Sequence, residues 1–254
     1  MSPDRLRRLY GGLLIALFAA LALWRWDLFW GAFCVTLRQV REGGPARWRV
    51  LAEVALFSGI LGLTWRALLL RADLVRDATM AALAAFVGFA AEAWGTRAGL
   101  WTYYTGERPP AWIVPAWPMG ALVVERLALW AEQRWGSGPG AGFWRTGYRL
   151  LAASCAAVVL VFCWPWLHIP GTWAVLALVV AALAFQTGGE RDSWRLGVGL
   201  CTVLLADTWG TTNGCWRYYT QLGGVGGLAA GVAFGMAFDA SLVLGCLKLA
   251  DFLL

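Results

Sequence analysis

Charge is scarce in this chain. Only 14% of its 254 residues are Asp, Glu, Lys or Arg, where a soluble domain carries about 25%. His168 is its single histidine. That excludes a His-rich di-iron or zinc site, and with it desaturases and hydroxylases of the His-box kind. No metal and no cofactor is expected. Six cysteines (34, 155, 163, 201, 215 and 246) include no CxxC pair, and they read as small apolar packing residues. Lysine is nearly missing, since 20 of the 21 basic residues are Arg. The net charge of +6 shows no basic patch interleaved with aromatics, so no nucleic-acid partner is expected. In a chain of this kind, loop arginines set topology and meet anionic headgroups.

Apolar sequence is what the chain has in excess. Sixty per cent of it is hydrophobic and 18 residues are Trp. Long apolar runs with few charges indicate transmembrane helices. The reading is an all-α, polytopic membrane protein with about eight transmembrane helices. The spans lie near 9–24, 50–70, 78–94, 113–131, 148–166, 171–187, 193–209 and 224–252. The first run has a cleavage-like Ala20-Leu21-Ala22 and could be a secretory signal. A retained helix is preferred, because Tyr10 with Trp24-Arg25-Trp26 is echoed by Tyr148 with Trp164-Pro165-Trp166. Residues 25–49 mix aromatic and basic sequence and read as an interfacial insertion. Four prolines at 109, 110, 115 and 118 bar regular helix until about residue 118.

One segment occurs twice. EAWGTRAGLWTYYT at 92–105 and DTWGTTNGCWRYYT at 207–220 share eight identities in fourteen positions at an offset of 115, and both open on an acid. Arg76-Asp77 recurs as Arg191-Asp192 at the same offset. The chain therefore reads as two four-helix repeats, 1–135 and 148–254, joined by a turn-rich linker at 136–147. Four spans per repeat is an even number, so the repeats are parallel, with a pseudo-two-fold axis along the membrane normal. Loop charge favours a cytoplasmic N-terminus in a bacterial-type inner membrane.

Glu92 and Asp207 sit near the ends of apolar spans, where an ionisable group is costly and usually paired or facing a cavity. Burial and a like-charged neighbour both disfavour a carboxylate anion, so such a pair can hold a proton as a general acid must. The bland alternative pairs each acid with Arg97 or Arg217. Trp94, Trp101, Tyr103 and Tyr104, with their copies Trp209, Trp216, Tyr218 and Tyr219, border the acids. They form either an interfacial belt or an aromatic-walled pocket for a developing cation. Gly95 and Gly210 are expected as left-handed helix caps, Gly99 and Gly214 as tight turns. Asp239, in the Gly- and Phe-rich eighth span, is a third candidate acid. Glu125, with a helical Arg, reads as a structural ion pair. Gly227, Gly231 and Gly235 share a helix face that permits close approach.

An acid near a helix end, followed by Gly-x-Trp-x-Tyr, resembles the integral-membrane isoprenoid cyclases and carotenoid hydratases, including lycopene-cyclase-like and meroterpenoid-cyclase-like families. The resemblance rests on Glu92, Gly99, Trp101 and Tyr103, and on Asp207, Gly214, Trp216 and Tyr218. It implies a lyase or isomerase in carotenoid or related terpene biosynthesis whose intramembrane acids protonate an alkene or epoxide. The Pro-x-Glu-Glu element of lycopene cyclases is missing here: Pro115-Ala116-Trp117-Pro118 holds no carboxylate. The leading expectation is a membrane enzyme acting on an isoprenoid or similar apolar lipid. The alternatives are a parallel-repeat transporter or lipid carrier, and a structural subunit of a membrane complex.

Overall fold

The structure is a computed structural model that describes residues 3–136, 138, 140–185 and 189–254. Among these, the chain forms nine α-helices and one two-stranded ribbon. The helices are α1 (Pro3–Trp24), α2 (Trp26–Glu42), α3 (Gly44–Ala67), α4 (Leu74–Ala98), α5 (Ala116–Trp135), α6 (Ala141–Cys163), α7 (Pro170–Ala184), α8 (Gly189–Thr212) and α9 (Gly224–Leu253). The strands are β1 (Trp101–Tyr103) and β2 (Trp216–Tyr218).

A helix occupies each of the eight segments read as spans. Among the described residues, six of them are long and apolar enough to cross a membrane: α1, α3, α4, α6, α9 and the stretch Ala111–Trp135 that holds α5. The other two fall short for different reasons. α7 has only 15 residues, about 22 Å of helix. α8 opens with Glu190, Arg191, Asp192 and Arg195, which shortens its apolar run. The linker at 136–147 and the turn after α7 fall partly outside the described residues, at 137, 139 and 186–188.

Two compact units divide at Ala72/Asp73, which is not the boundary of the sequence repeat. In the first, residues 1–72, α2 packs on α1 and α3. Most of the 25–49 insertion is the helix α2, set off by breaks at Arg25 and at Gly43, whose φ is 77°, and its last residues begin α3. Trp26, Phe29, Trp30 and Phe33 stack along it and are exposed.

The second unit, residues 73–254, is built around α9. This helix packs against α4, α5, α6, α7 and α8 and buries most of its length from Gly231 to Ala250. Small residues let its neighbours approach closely. A methyl group on Gly231 would strike the Tyr218 ring, and one on Gly235 would overlap Asp207 Oδ2 and the Tyr218 hydroxyl. The shared glycine face is therefore the seat of the second repeated segment. α4 packs on α9 and α5 on α8, so each repeat's inner helices cross to those of the other. Lys248 of α9 donates to the carbonyls of Ala182 and Phe185 at the end of α7 and to the Tyr148 hydroxyl at 2.8 Å. These bonds satisfy carbonyls that a helix end leaves open.

Candidate functional site

The two copies of the repeated segment fold alike. Each helix runs on past its acid to a glycine in the left-handed region, Gly99 (φ 81°) after α4 and Gly214 (φ 72°) after α8. This corrects the expectation for Gly95 and Gly210, which lie inside their helices. A side chain there would overlap the indole of Trp101 or of Trp216. The missing Cβ is thus used for aromatic packing, and the φ > 0 position falls four residues later. The turns close the same way: Leu100 N donates to Gly95 O at 2.9 Å, Cys215 N to Gly210 O at 2.8 Å.

β1 and β2 then pair antiparallel, with Trp101 opposite Tyr218, Thr102 opposite Arg217 and Tyr103 opposite Trp216. At the offset of 115 this register is self-complementary: each residue faces the copy of its partner's counterpart, and Thr102 faces its own copy. The flanking bonds obey the same exchange. Tyr104 N donates to Cys215 O at 3.1 Å, and Tyr219 N donates to Leu100 O at 2.9 Å. Such pairing is isologous, as at a two-fold interface.

The acids hang beneath this ribbon. Glu92 is buried and accepts from Trp101 Nε1 at 2.9 Å and from the Tyr103 hydroxyl at 3.0 Å. Asp207 is buried and accepts from the Tyr218 hydroxyl at 3.1 Å. Among the described residues neither carboxylate forms an ion pair, so Arg97 and Arg217 are not their partners. Asp239 is half-buried on α9 and makes no hydrogen bond among the described residues. All three acids act on the ribbon's phenols. Burial pushes Tyr103 well above the ordinary tyrosine range, and Glu92, Asp239 and Asp207 push it further. Tyr218 is raised by burial first, then by Asp207 and Asp239. The structure thus gathers Glu92, Asp207 and Asp239 around one tyrosine pair. Among the described residues, no group of three or more His, Cys, Asp or Glu is placed to hold a metal ion.

The aromatic candidates separate into two sets. Trp101 is buried between Trp94 (centroids 6.1 Å), Tyr218 (6.3 Å), Phe234 (6.2 Å) and Phe238 (6.1 Å). Trp216 lies 6.0 Å from Tyr103, and Trp94 donates to Thr172 Oγ1 at 3.3 Å. Tyr104 is 58% exposed, and Tyr219 turns to Phe162 and Trp166 and donates to Phe162 O. These two lie outside the first set. Trp209 is half-buried, two residues beyond Asp207. Phe234 and Phe238, which stack on one another at 5.1 Å, were missed from sequence. Their signal was the one-turn spacing that sets Gly235 and Asp239 beside them.

Glu125 lies apart from the ribbon and is ion-paired with helical arginines, though not with the adjacent Arg126, which pairs with Asp77. Glu125 instead accepts from Arg76 (2.8 Å), Arg191 (2.9 Å) and Arg195 (2.8 and 3.0 Å). Arg76 and Arg191 are the repeated pair, so the recurrence that aligned the copies also marked this network. Comparison with family models, curated proteins and solved structures returned no match, so the assignment rests on this geometry.

Proposed function

We propose that this chain is a membrane enzyme that protonates an isoprenoid or similarly apolar lipid, as a cyclase or hydratase. The observation that carries the reading is the pair of buried carboxyl groups held by aromatic donors and by no cation. Such a group can carry a proton into a water-poor, apolar site. Glu92 and Asp207 serve as the acid and its partner, with Asp239 as a third carboxyl of the same cluster. Proton transfer to one carbon of a C=C bond leaves the other carbon cationic. The faces of Trp101, Phe234 and Phe238 favour that charge. A second double bond then closes a ring, or water adds, and loss of a proton to the carboxylate restores the acid. Trp94, Tyr103, Trp216 and Tyr218 orient the acids and wall the site, and the substrate enters from the bilayer.

The same reading takes α1 and α3 to α9 as the eight spans. α7 and α8 cross within the shelter of α6 and α9, and the chain comprises two parallel four-helix repeats. The N-terminus lies on the cytoplasmic side of a bacterial-type inner membrane.

The test compares lipid extracts by mass spectrometry. Cells express the wild type, Glu92→Gln or Asp207→Asn at matched protein level, with a panel of polyenes supplied. A product of unchanged mass with wild type alone marks cyclisation, and one heavier by a water marks hydration. Equal lipid profiles in all three strains, with substrate demonstrably present, would overturn the reading.

A further inference from the structure

Around Glu125, arginines outnumber the carboxylates they are seen to bond among the described residues. Four guanidiniums (Arg76, Arg126, Arg191, Arg195) meet three carboxylates (Asp77, Glu125, Asp251). The neighbouring Lys248 and Asp192 balance each other at 3.4 Å. Asp73, whose carboxylate caps the backbone N–H groups of Val75 and Arg76 at 2.9 and 3.0 Å, and Glu190, next to Arg191 in the first turn of α8, add negative charge at the two helix starts. Among the described residues, Arg76 Nη1, Arg191 Nε and Arg195 Nη1 are buried and find no hydrogen-bond acceptor. Arg195 is fully enclosed, with a side-chain exposure of 0%, whereas Arg76 (15%) and Arg191 (24%) reach the surface.

A buried guanidinium N–H without an acceptor is costly. The oxygens of an incoming anion would supply the missing acceptors. Arg76 lies in the first turn of α4 and Arg191 in that of α8, where helix N-termini favour negative charge. Guanidinium forks match phosphate oxygens in geometry. Arg76 is sixteen residues before Glu92 on α4, about 24 Å away along the helix, near the opposite membrane face. Trp194 and Trp144, whose rings meet at 5.2 Å, have buried indole N–H groups that also find no acceptor among the described residues. Trp194 directly precedes Arg195, and such side chains mark headgroup depth.

We infer that Arg76, Arg191 and Arg195 form a phosphate-binding site at the membrane face opposite the carboxyl cluster. The phosphate comes from an anionic lipid headgroup or from free phosphate in the adjoining aqueous phase. The site is independent of the proposed chemistry at Glu92 and Asp207.

The experiment follows thermal unfolding of the delipidated full chain in detergent. Sodium phosphate, pyrophosphate and phosphatidylglycerol in mixed micelles are titrated separately, against sodium chloride at equal ionic strength and against phosphatidylcholine. A saturable rise in Tm with phosphatidylglycerol alone identifies a lipid headgroup. A saturable rise with inorganic phosphate as well shows that the phosphate group suffices. Arg191→Gln, which keeps a neutral donor, weakens the midpoint by about tenfold or more, while Arg38→Gln on α2 titrates like wild type. No rise beyond the chloride and phosphatidylcholine controls overturns the proposal in the wild type itself. So does an Arg191→Gln protein of native helix content that titrates unchanged.

Discussion

Trp101 stands opposite Tyr218 across the β1–β2 ribbon, and each donates to a different buried carboxylate, Trp101 to Glu92 and Tyr218 to Asp207. The ribbon is only three residues long on each side. It nevertheless ties the two acid-bearing helices together by direct backbone bonds. The predictions below concern that joint and the charged network at the far end of the same helices.

Replacing Gly235 by Ala should damage the Asp207 half of the site. The added methyl overlaps Asp207 Oδ2 and the Tyr218 hydroxyl, and overpacking of this kind costs about 1–3 kcal/mol. Gly226→Ala, nine residues earlier on the same helix with nothing within 4 Å of its would-be Cβ, is the control. It should be neutral or stabilising by about 0.5–1 kcal/mol. Thermal unfolding of the two variants in detergent checks this, and equal losses would show that the close approach is not what Gly235 provides.

Gly95→Ala and Gly210→Ala should be destabilising to the same degree. The Cβ at each position overlaps the six-membered ring of the indole six residues on, Trp101 or Trp216, through the same three atoms. Each should cost about 1–3 kcal/mol, with the pair agreeing within about 0.5 kcal/mol. A large imbalance in denaturant unfolding would show that the two copies no longer share one packing.

Tyr103 and Tyr218 should not titrate in the folded chain under mild alkali. Burial, then the nearby carboxyl groups, raises both well above the ordinary value, which is about 10 in an unfolded chain. A raised folded pKa contributes stability that is whole below the unfolded value and is lost as pH climbs toward the folded one. Stability should thus hold through neutral pH and fall above about pH 10. In absorbance at 295 nm, Tyr103→Phe with Tyr218→Phe should leave the tyrosinate signal before unfolding unchanged. Only the signal gained on unfolding should shrink; an earlier loss would mean the phenols are open to solvent.

Glu125→Gln should be among the most damaging single changes. Arg76, Arg191 and Arg195 all bond its carboxylate, and neutralising one partner of a buried pair costs about 3–5 kcal/mol. Arg191→Gln should cost less, because Arg191 makes one of these bonds and is 24% exposed. Chemical unfolding ranks the two, and the reverse order would place the weight of the network on Arg191.

Much of the fold was legible in the residues alone. Apolar runs bounded by Gly, Pro and charge reported helices at every segment read as a span, because helix formation and the bilayer's demand for apolar length act along the chain. The 115-residue offset matched Glu92 to Asp207 and Trp101 to Trp216, and it held down to equivalent backbone bonds. What the order of residues left open were choices made between helices. Glu125 read as half of a structural ion pair, and Asp239 as a third candidate acid. Packing sent Glu125 to three arginines from α4 and α8, and Asp239 to the tyrosines of the ribbon. Gly95 looked like a cap, but the indole of Trp101 needed its missing Cβ, so the chain turned at Gly99 instead. Local periodicity and composition determined which segments are helices. Only the tertiary structure decided which face meets which neighbour, because burial, charge pairing and close backbone approach depend on residues distant in the chain.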